Sequence, residues 1–390
     1  MLRVVIGMGV GVGFAITVPD LTAAESAAPE AAAVFIHPSI LGASSCSTSG
    51  CHGGAGEKSL QYAVWSQRDV HSRSFATLTT ARSARMAEAL GIADPATSLR
   101  CTTCHAPLQS VKSSDPALLA PEARVTEGVS CASCHGADGD WLRSHTRPDF
   151  THADKVAAGL KDLRDLHARA TSCVACHQNI DPALVETGRH PRLVFELDGQ
   201  TASEPRHWRE TAGYNGAQAW QVGQAVALRE VSWALQQRAA TAAEIPRWQA
   251  LLWVLQRAGD ADNSAQAVAL RAIPPVADAE NFARAQSAAD ALARALASGF
   301  DAASVPARLK KLAATHAEFA DTSVDRTQQA CRAERLVLAI DRLLAALPAA
   351  ARPPGASARL DALFARSQSI PDFAPAAFAR ELEAFAQTLP

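Results

Sequence analysis

The stretch Gly128-Val129-Ser130-Cys131-Ala132-Ser133-Cys134-His135-Gly136 contains the middle one of three C-x-x-C-H segments. The other two are Cys101-Thr102-Thr103-Cys104-His105 and Cys173-Val174-Ala175-Cys176-His177. Two thiols with two residues between them can add to the two vinyl groups along one porphyrin edge. The residue that follows at once then projects its imidazole onto the iron. The pattern is that of c-type haem attachment, with Cys101, Cys104, Cys131, Cys134, Cys173 and Cys176 as thioether positions and His105, His135 and His177 as proximal ligands. With 9 cysteines and 12 histidines in 390 residues, one such segment arises by chance only about 0.006 times per chain. Structural zinc also uses paired C-x-x-C, and disulfides suit an exported protein. Neither explains a histidine placed after the second cysteine three times.

A fourth segment, Cys46-Ser47-Thr48-Ser49-Gly50-Cys51-His52, has four residues between its cysteines. Gly50, Gly53 and Gly54 give the backbone the freedom to absorb the extra length, so Cys46, Cys51 and His52 are read as a fourth attachment site. Four covalently bound haem c groups are therefore expected.

Composition limits what can complete each iron. The methionines are Met1, Met8 and Met86, and the first two fall in a leader, so at most one haem can be His/Met ligated. Met86, amid Ala84, Arg85, Ala87 and Glu88, reads as an ordinary helical residue. Eight histidines are not proximal. Of these His71, His145, His190 and His207 are the expected distal ligands, with His37, His152 and His167 in reserve and His316 last. No catalytic residue is assigned.

Outward from the motifs the chain divides by composition. Residues 1–28 read as a signal peptide: Met1-Leu2-Arg3, an uncharged run from Val4 to Val18, then Pro19-Asp20 and small residues. A membrane anchor is the rival reading, but a bilayer-spanning helix needs roughly 20 apolar residues. Residues 35–212 hold eight of the nine cysteines and every histidine except His316. They are expected to form a loop-rich multihaem domain, with one longer helix over 59–90 whose apolar side carries Tyr62, Trp65 and Val70. Residues 213–390 turn alanine-rich and helical. Trp248, Leu251, Leu252 and Leu255 recur at i, i+3, i+4 and i+7, and Leu336, Ile340, Leu343, Leu344 and Leu347 do the same. Breaks are expected at Pro246, Pro274-Pro275, Pro306, Pro348 and Pro353-Pro354-Gly355. The fold class is mainly α. A net charge of -2 from 37 basic and 39 acidic residues points away from nucleic acid as a partner.

The motifs resemble the tetrahaem cytochrome c-554 type and its wider multihaem relatives. The resemblance rests on the long-spacer motif with Gly53-Gly54 and on Trp65 through His71-Ser72-Arg73-Ser74-Phe75. It continues in Gly128 to Gly136 with Trp141-Leu142 leading to His145, then in His190-Pro191-Arg192-Leu193-Val194-Phe195-Glu196-Leu197 and Pro205-Arg206-His207-Trp208. It covers roughly 35–235. It implies closely stacked haems in a mostly helical, loop-rich fold and periplasmic electron transfer. It also implies that one haem can lack a distal protein ligand. The expected role is an electron carrier between redox partner proteins, mostly with bis-histidine haems, with room for association with the periplasmic face of the membrane. The alternative is a multihaem reductase or oxidoreductase of a small nitrogen or sulfur compound, which needs an open-coordinate haem. The two readings part on whether every iron is six-coordinate.

Overall fold

Helices and turns account for the structure because the apolar residues follow helical spacing and rarely alternate. The computed structural model describes residues 39–259 and 262–390, and among these the only β pairing is an isolated bridge between Ile40 and Leu119. The fold is mainly α. The leader read over 1–28 and His37 lie outside the described residues.

The first half is a string of short helices. They are α1 Gln61–Arg68, α2 Ser74–Leu78, α3 Ala81–Ala89, α4 Leu99–His105, α5 Pro107–Ser114, α6 Cys131–His135, α7 His152–Ala157, α8 Leu166–His177, α9 Pro182–Glu186 and α10 Leu197–Ser203. The continuous helix expected over 59–90 is therefore corrected to three helices. Asp69 adopts an extended conformation and its carboxylate accepts from the His71 amide, starting a 3-10 turn over Val70–Arg73; Thr80 then caps α3. Val70 is consequently 66% exposed and not on an apolar face.

The second half holds the longer helices α11 Gly216–Gln237, α12 Ile245–Ala258, α13 Ala265–Arg271, α14 Ala279–Ser298, α15 Val305–Ala313, α16 His316–Phe319, α17 Arg326–Ala346, α18 Ala356–Ser367 and α19 Pro375–Ala386. Asn215, Ser264, Asp278 and Asp325 cap four of them through side-chain oxygens. Pro246 and Pro306 stand in the first turns of α12 and α15, so these prolines open helices where the missing N–H costs nothing. Alanines packed at or near zero exposure (Ala219, Ala225, Ala285, Ala289, Ala293, Ala339) bring the helices close, with Trp220, Trp248, Leu251, Leu336 and Ile340 filling the space between them. Each such large side chain contributes about 1.5–3 kcal/mol when fully buried. Trp248 spends its indole N–H on Ser232 (2.9 Å), leaving no polar atom stranded there.

The two halves share one core. Leu166, Ala170 and Val174 of α8, with Phe195 and Leu197, join the apolar cluster that fills the C-terminal helices. Gly223 makes room for this: a Cβ there would meet the Leu197 Cβ at 2.8 Å, so α10 closes directly on α11. Between residues 39 and 165 the picture differs. The buried apolar residues are Ala43, Val64, Leu78, Ala87, Ala106, Leu108, Ala120 and Trp141, and none belongs to that cluster. So few small residues cannot hold a segment of this length by apolar burial alone.

Candidate metal centres

The four motifs sit at helix ends or tight turns, which aligns their sulfurs and imidazoles. In α4, α6 and α8 the cysteines are at i and i+3 and the histidine at i+4, within one turn of one helix. α6 is started at Ser130, whose amide donates to Ser133 Oγ (3.2 Å). It is stopped by Gly136 (φ 87°), where a Cβ would lie 2.6 Å from the Gly159 carbonyl. The four-residue spacer of the first motif closes as a loop: the His52 amide donates to the Cys46 carbonyl (3.1 Å) and the Gly53 amide to Thr48 (3.0 Å). Only glycine fits at position 53, since a Cβ would stand 1.8 Å from the Ser47 oxygen.

Each motif histidine faces one of the four histidines expected opposite it. The ring centres of His52 and His145 are 6.1 Å apart, His177 and His71 6.1 Å, His105 and His190 6.2 Å, and His135 and His207 6.5 Å. An imidazole–metal bond is about 2.0 Å. Adding about 1.1 Å from nitrogen to ring centre on each side gives about 6.2 Å across a shared metal. Ordinary aromatic pairs span about 4.5–7 Å, so one such pair would mean little. Four pairs within 0.4 Å of one another (6.5 less 6.1), each joining one motif histidine to one other, need a common cause.

The hydrogen bonds point the same way. The Nδ1 of His52 meets Gln61 Oε1 (3.0 Å), that of His105 meets Thr77 Oγ1 (3.0 Å), and that of His190 meets the Pro191 carbonyl (2.8 Å). His145 Nδ1 is paired with the Leu142 carbonyl. His71 Nδ1 is held by Asp69 (3.0 Å) and Glu204 (2.8 Å). Engaging Nδ1 fixes the ring and leaves Nε2 as the donor to a metal. Burial lowers the pKa of His105, His177 and His207 and takes His135 down to about 4, keeping these rings neutral as ligation requires. His71 is the exception: Asp69 first and Glu204 second push it up to about 10. Its pair of carboxylates makes it the most electron-rich donor of the set once its Nε2 is on a metal. Sequence reasoning missed Asp69 and Glu204 in this role. Asp69, two residues from His71, was within reach of a local reading; Glu204 was not.

Two of the histidines held in reserve are spent elsewhere. His152 pairs with Asp162 (3.0 Å), and His167 with Asp290 (3.0 Å) beside Arg229. Met86 lies half-exposed on α3. None of the nine cysteines is in a disulfide. Thiols of different motifs lie close enough to shift one another's pKa: Cys131 lowers that of Cys46, and Cys176 that of Cys104. Cys134 is near enough for its charge to be felt at Cys173 and Cys176. The residues thus fit iron porphyrins in number, donor type and spacing, and they frame a segment that lacks an apolar core of its own.

Residues 45–136, which include the first three motifs, match the family model described as cytochrome c554 and c-prime. Neither a curated protein nor a solved structure matches the chain. Among the described residues, no helix is long and apolar enough to cross a membrane.

Proposed function

We propose that the chain, whose residues 45–136 match the family model described as cytochrome c554 and c-prime, is an exported tetrahaem c-type cytochrome that carries electrons, with four bis-histidine sites. Site 1 is Cys46, Cys51, His52 and His145; site 2 is Cys101, Cys104, His105 and His190; site 3 is Cys131, Cys134, His135 and His207; site 4 is Cys173, Cys176, His177 and His71. The observation that carries this reading is the shared 6.1–6.5 Å spacing of four histidine pairs.

Iron porphyrins, when bound, supply reversible one-electron uptake. The chain supplies everything else. Its cysteines would fix the position of each haem, and each pair of imidazoles would hold one iron between them, which would leave no place for a substrate and favours transfer over catalysis. The proximity of cysteines from different motifs supports a row of sites: 1 beside 3 through Cys46 and Cys131, 3 near 4 through Cys134 and Cys173, 4 beside 2 through Cys176 and Cys104. Such a row has two ends, sites 1 and 2, where separate redox partner proteins can dock.

The test is a pyridine haemochrome assay with intact mass on the mature protein, followed by electron paramagnetic resonance of the oxidised form. Four haems per chain, all low-spin, are expected. A count of three would remove the Cys46–Cys51 site. A stoichiometric high-spin signal that responds to cyanide would replace the carrier reading with a catalytic one, and a colourless protein from a host competent in haem attachment would end both.

A further inference from the structure

A cavity of about 50 Å³ lies where the segments after His177 and His190 meet α11, α12 and α17. Its wall carries four guanidinium groups, Arg192, Arg238, Arg247 and Arg335, against two carboxylates, Glu244 and Glu334. The carboxylates are taken: Arg192 pairs with Glu334 (2.6 Å) and Arg238 with Glu244 (2.8 Å). Arg335, 5% exposed, spends its Nη1 on the neutral oxygens of Phe195 (2.8 Å) and Gln224 (3.1 Å). The Arg247 amide donates to the Glu244 carbonyl (3.1 Å), but its guanidinium has no hydrogen-bond or ion-pair partner among the described residues. Two positive charges are therefore left over, in a place where burial pulls both guanidinium pKa values down. An arginine does not surrender its proton in a protein, so its relief is a counter-charge. Gln178 lines the same cavity, and its buried side-chain oxygen has no partner; as an acceptor it would face a protonated oxygen of an occupant or an intervening water.

We propose that this cavity is a binding site for one small oxyanion, held chiefly by Arg247 and Arg335. The space equals about four waters, which suits a planar or tetrahedral anion of four or five heavy atoms. Leu193, Val231 and Ala250 line it too, and its small volume favours a compact ion. Guanidinium forks favour anions that present two oxygens at once. Gln178 immediately follows His177, so the bound anion sits beside site 4 and adds negative charge there. That last consequence, and only that one, rests on the haem reading proposed above.

The experiment is calorimetric titration of the full, haem-loaded protein with nitrate, sulfate and inorganic phosphate at constant ionic strength, with chloride as the reference. At least one oxyanion is expected to bind saturably, one per chain, and Arg247→Gln is expected to weaken it tenfold or more while the surface change Arg82→Gln leaves it intact. Should Arg247→Gln fail to fold, phenylglyoxal labelling of the wild-type protein with peptide mapping replaces it, with Arg247 expected to be protected by the same anion. The proposal is overturned if no oxyanion saturates below about 10 mM, if chloride binds as tightly, or if neither the variant nor the labelling of Arg247 responds. Binding should also lower one haem potential. If the anion binds at Arg247 and no potential moves, the anion site stands and the placement of a haem at His177 falls.

Discussion

Replacing Asp69 by asparagine should raise the potential of one haem alone. The Asp69 carboxylate lies 3.0 Å from His71 Nδ1. A metal on Nε2 of the same ring would be about 7 Å from that oxygen, once the ring and an imidazole–metal bond of about 2.0 Å are added. At an effective dielectric of about 20, one unit charge at that distance is worth about 2.4 kcal/mol. For a one-electron couple this is about 100 mV. Asp69 is 4% exposed, so water screens it little. Burial alone would raise its pKa, but hydrogen bonds with His71 outweigh that and hold it below the usual carboxylate range, so the charge is present at neutral pH. Asparagine keeps an oxygen to cap the 3-10 turn and accept from Nδ1, so the charge is the main thing removed. Glu204 offers the same contact from a more exposed side chain, and Glu204→Gln should give a smaller rise. The assay is a spectroelectrochemical titration of wild type and both variants. Four potentials that all stay within about 20 mV of wild type, in an Asp69→Asn protein still carrying four low-spin haems, would refute the pairing of His71 with His177.

Three further expectations follow from named geometry. The planes of His52 and His145 are 20° apart, whereas the other three pairs are crossed at 67–78°; low-temperature electron paramagnetic resonance should therefore show one rhombic low-spin signal and three strongly anisotropic ones, and four rhombic signals would contradict the ring orientations. Gly53→Ala cannot close the first loop against the Ser47 carbonyl, so its haem content should fall from four to three, read by intact mass. Glu196, buried at 4%, has its pKa raised to about 7 from 4.5 by burial. An acid so raised keeps its proton in the fold while the unfolded chain loses it, so stability is full below about pH 4.5 and declines until about pH 7, by about 3 kcal/mol. Glu196→Gln should flatten that slope in urea titrations across the range, and an unchanged slope would place the pH dependence elsewhere.

The haem chemistry was legible because covalent attachment dictates a local pattern. Cysteine spacing and the following histidine lie within seven residues at most, and no tertiary contact is needed to see them. The choice of His71, His145, His190 and His207 was readable from sequence as candidates, but their partners were not. His71 faces a ring 106 positions away (177 less 71), and nothing local distinguishes His177 from His105 as its mate. In the C-terminal half, the i, i+3, i+4 stripes of α12 and α17 survive as buried faces. The helix expected over 59–90 did not survive, because side-chain caps at Asp69 and Thr80 outcompeted a weak apolar period. Those breaks are what let the chain turn and present His71. The shared core escaped the composition reading as well, since Leu166, Ala170 and Val174 look like spacers within a motif-bearing helix until α11 is packed against them.

The double membership of α8 bears on how the molecule is assembled and discarded. One side of this helix ends in Cys173, Cys176 and His177, and the other is embedded among the C-terminal helices. A chain that has not acquired its pigment would keep a folded helical body while residues 39–165, short of apolar burial, had little to hold them to it. Such a half-open molecule is easily cut by proteases, so failed maturation would announce itself by the loss of one end and the persistence of the other.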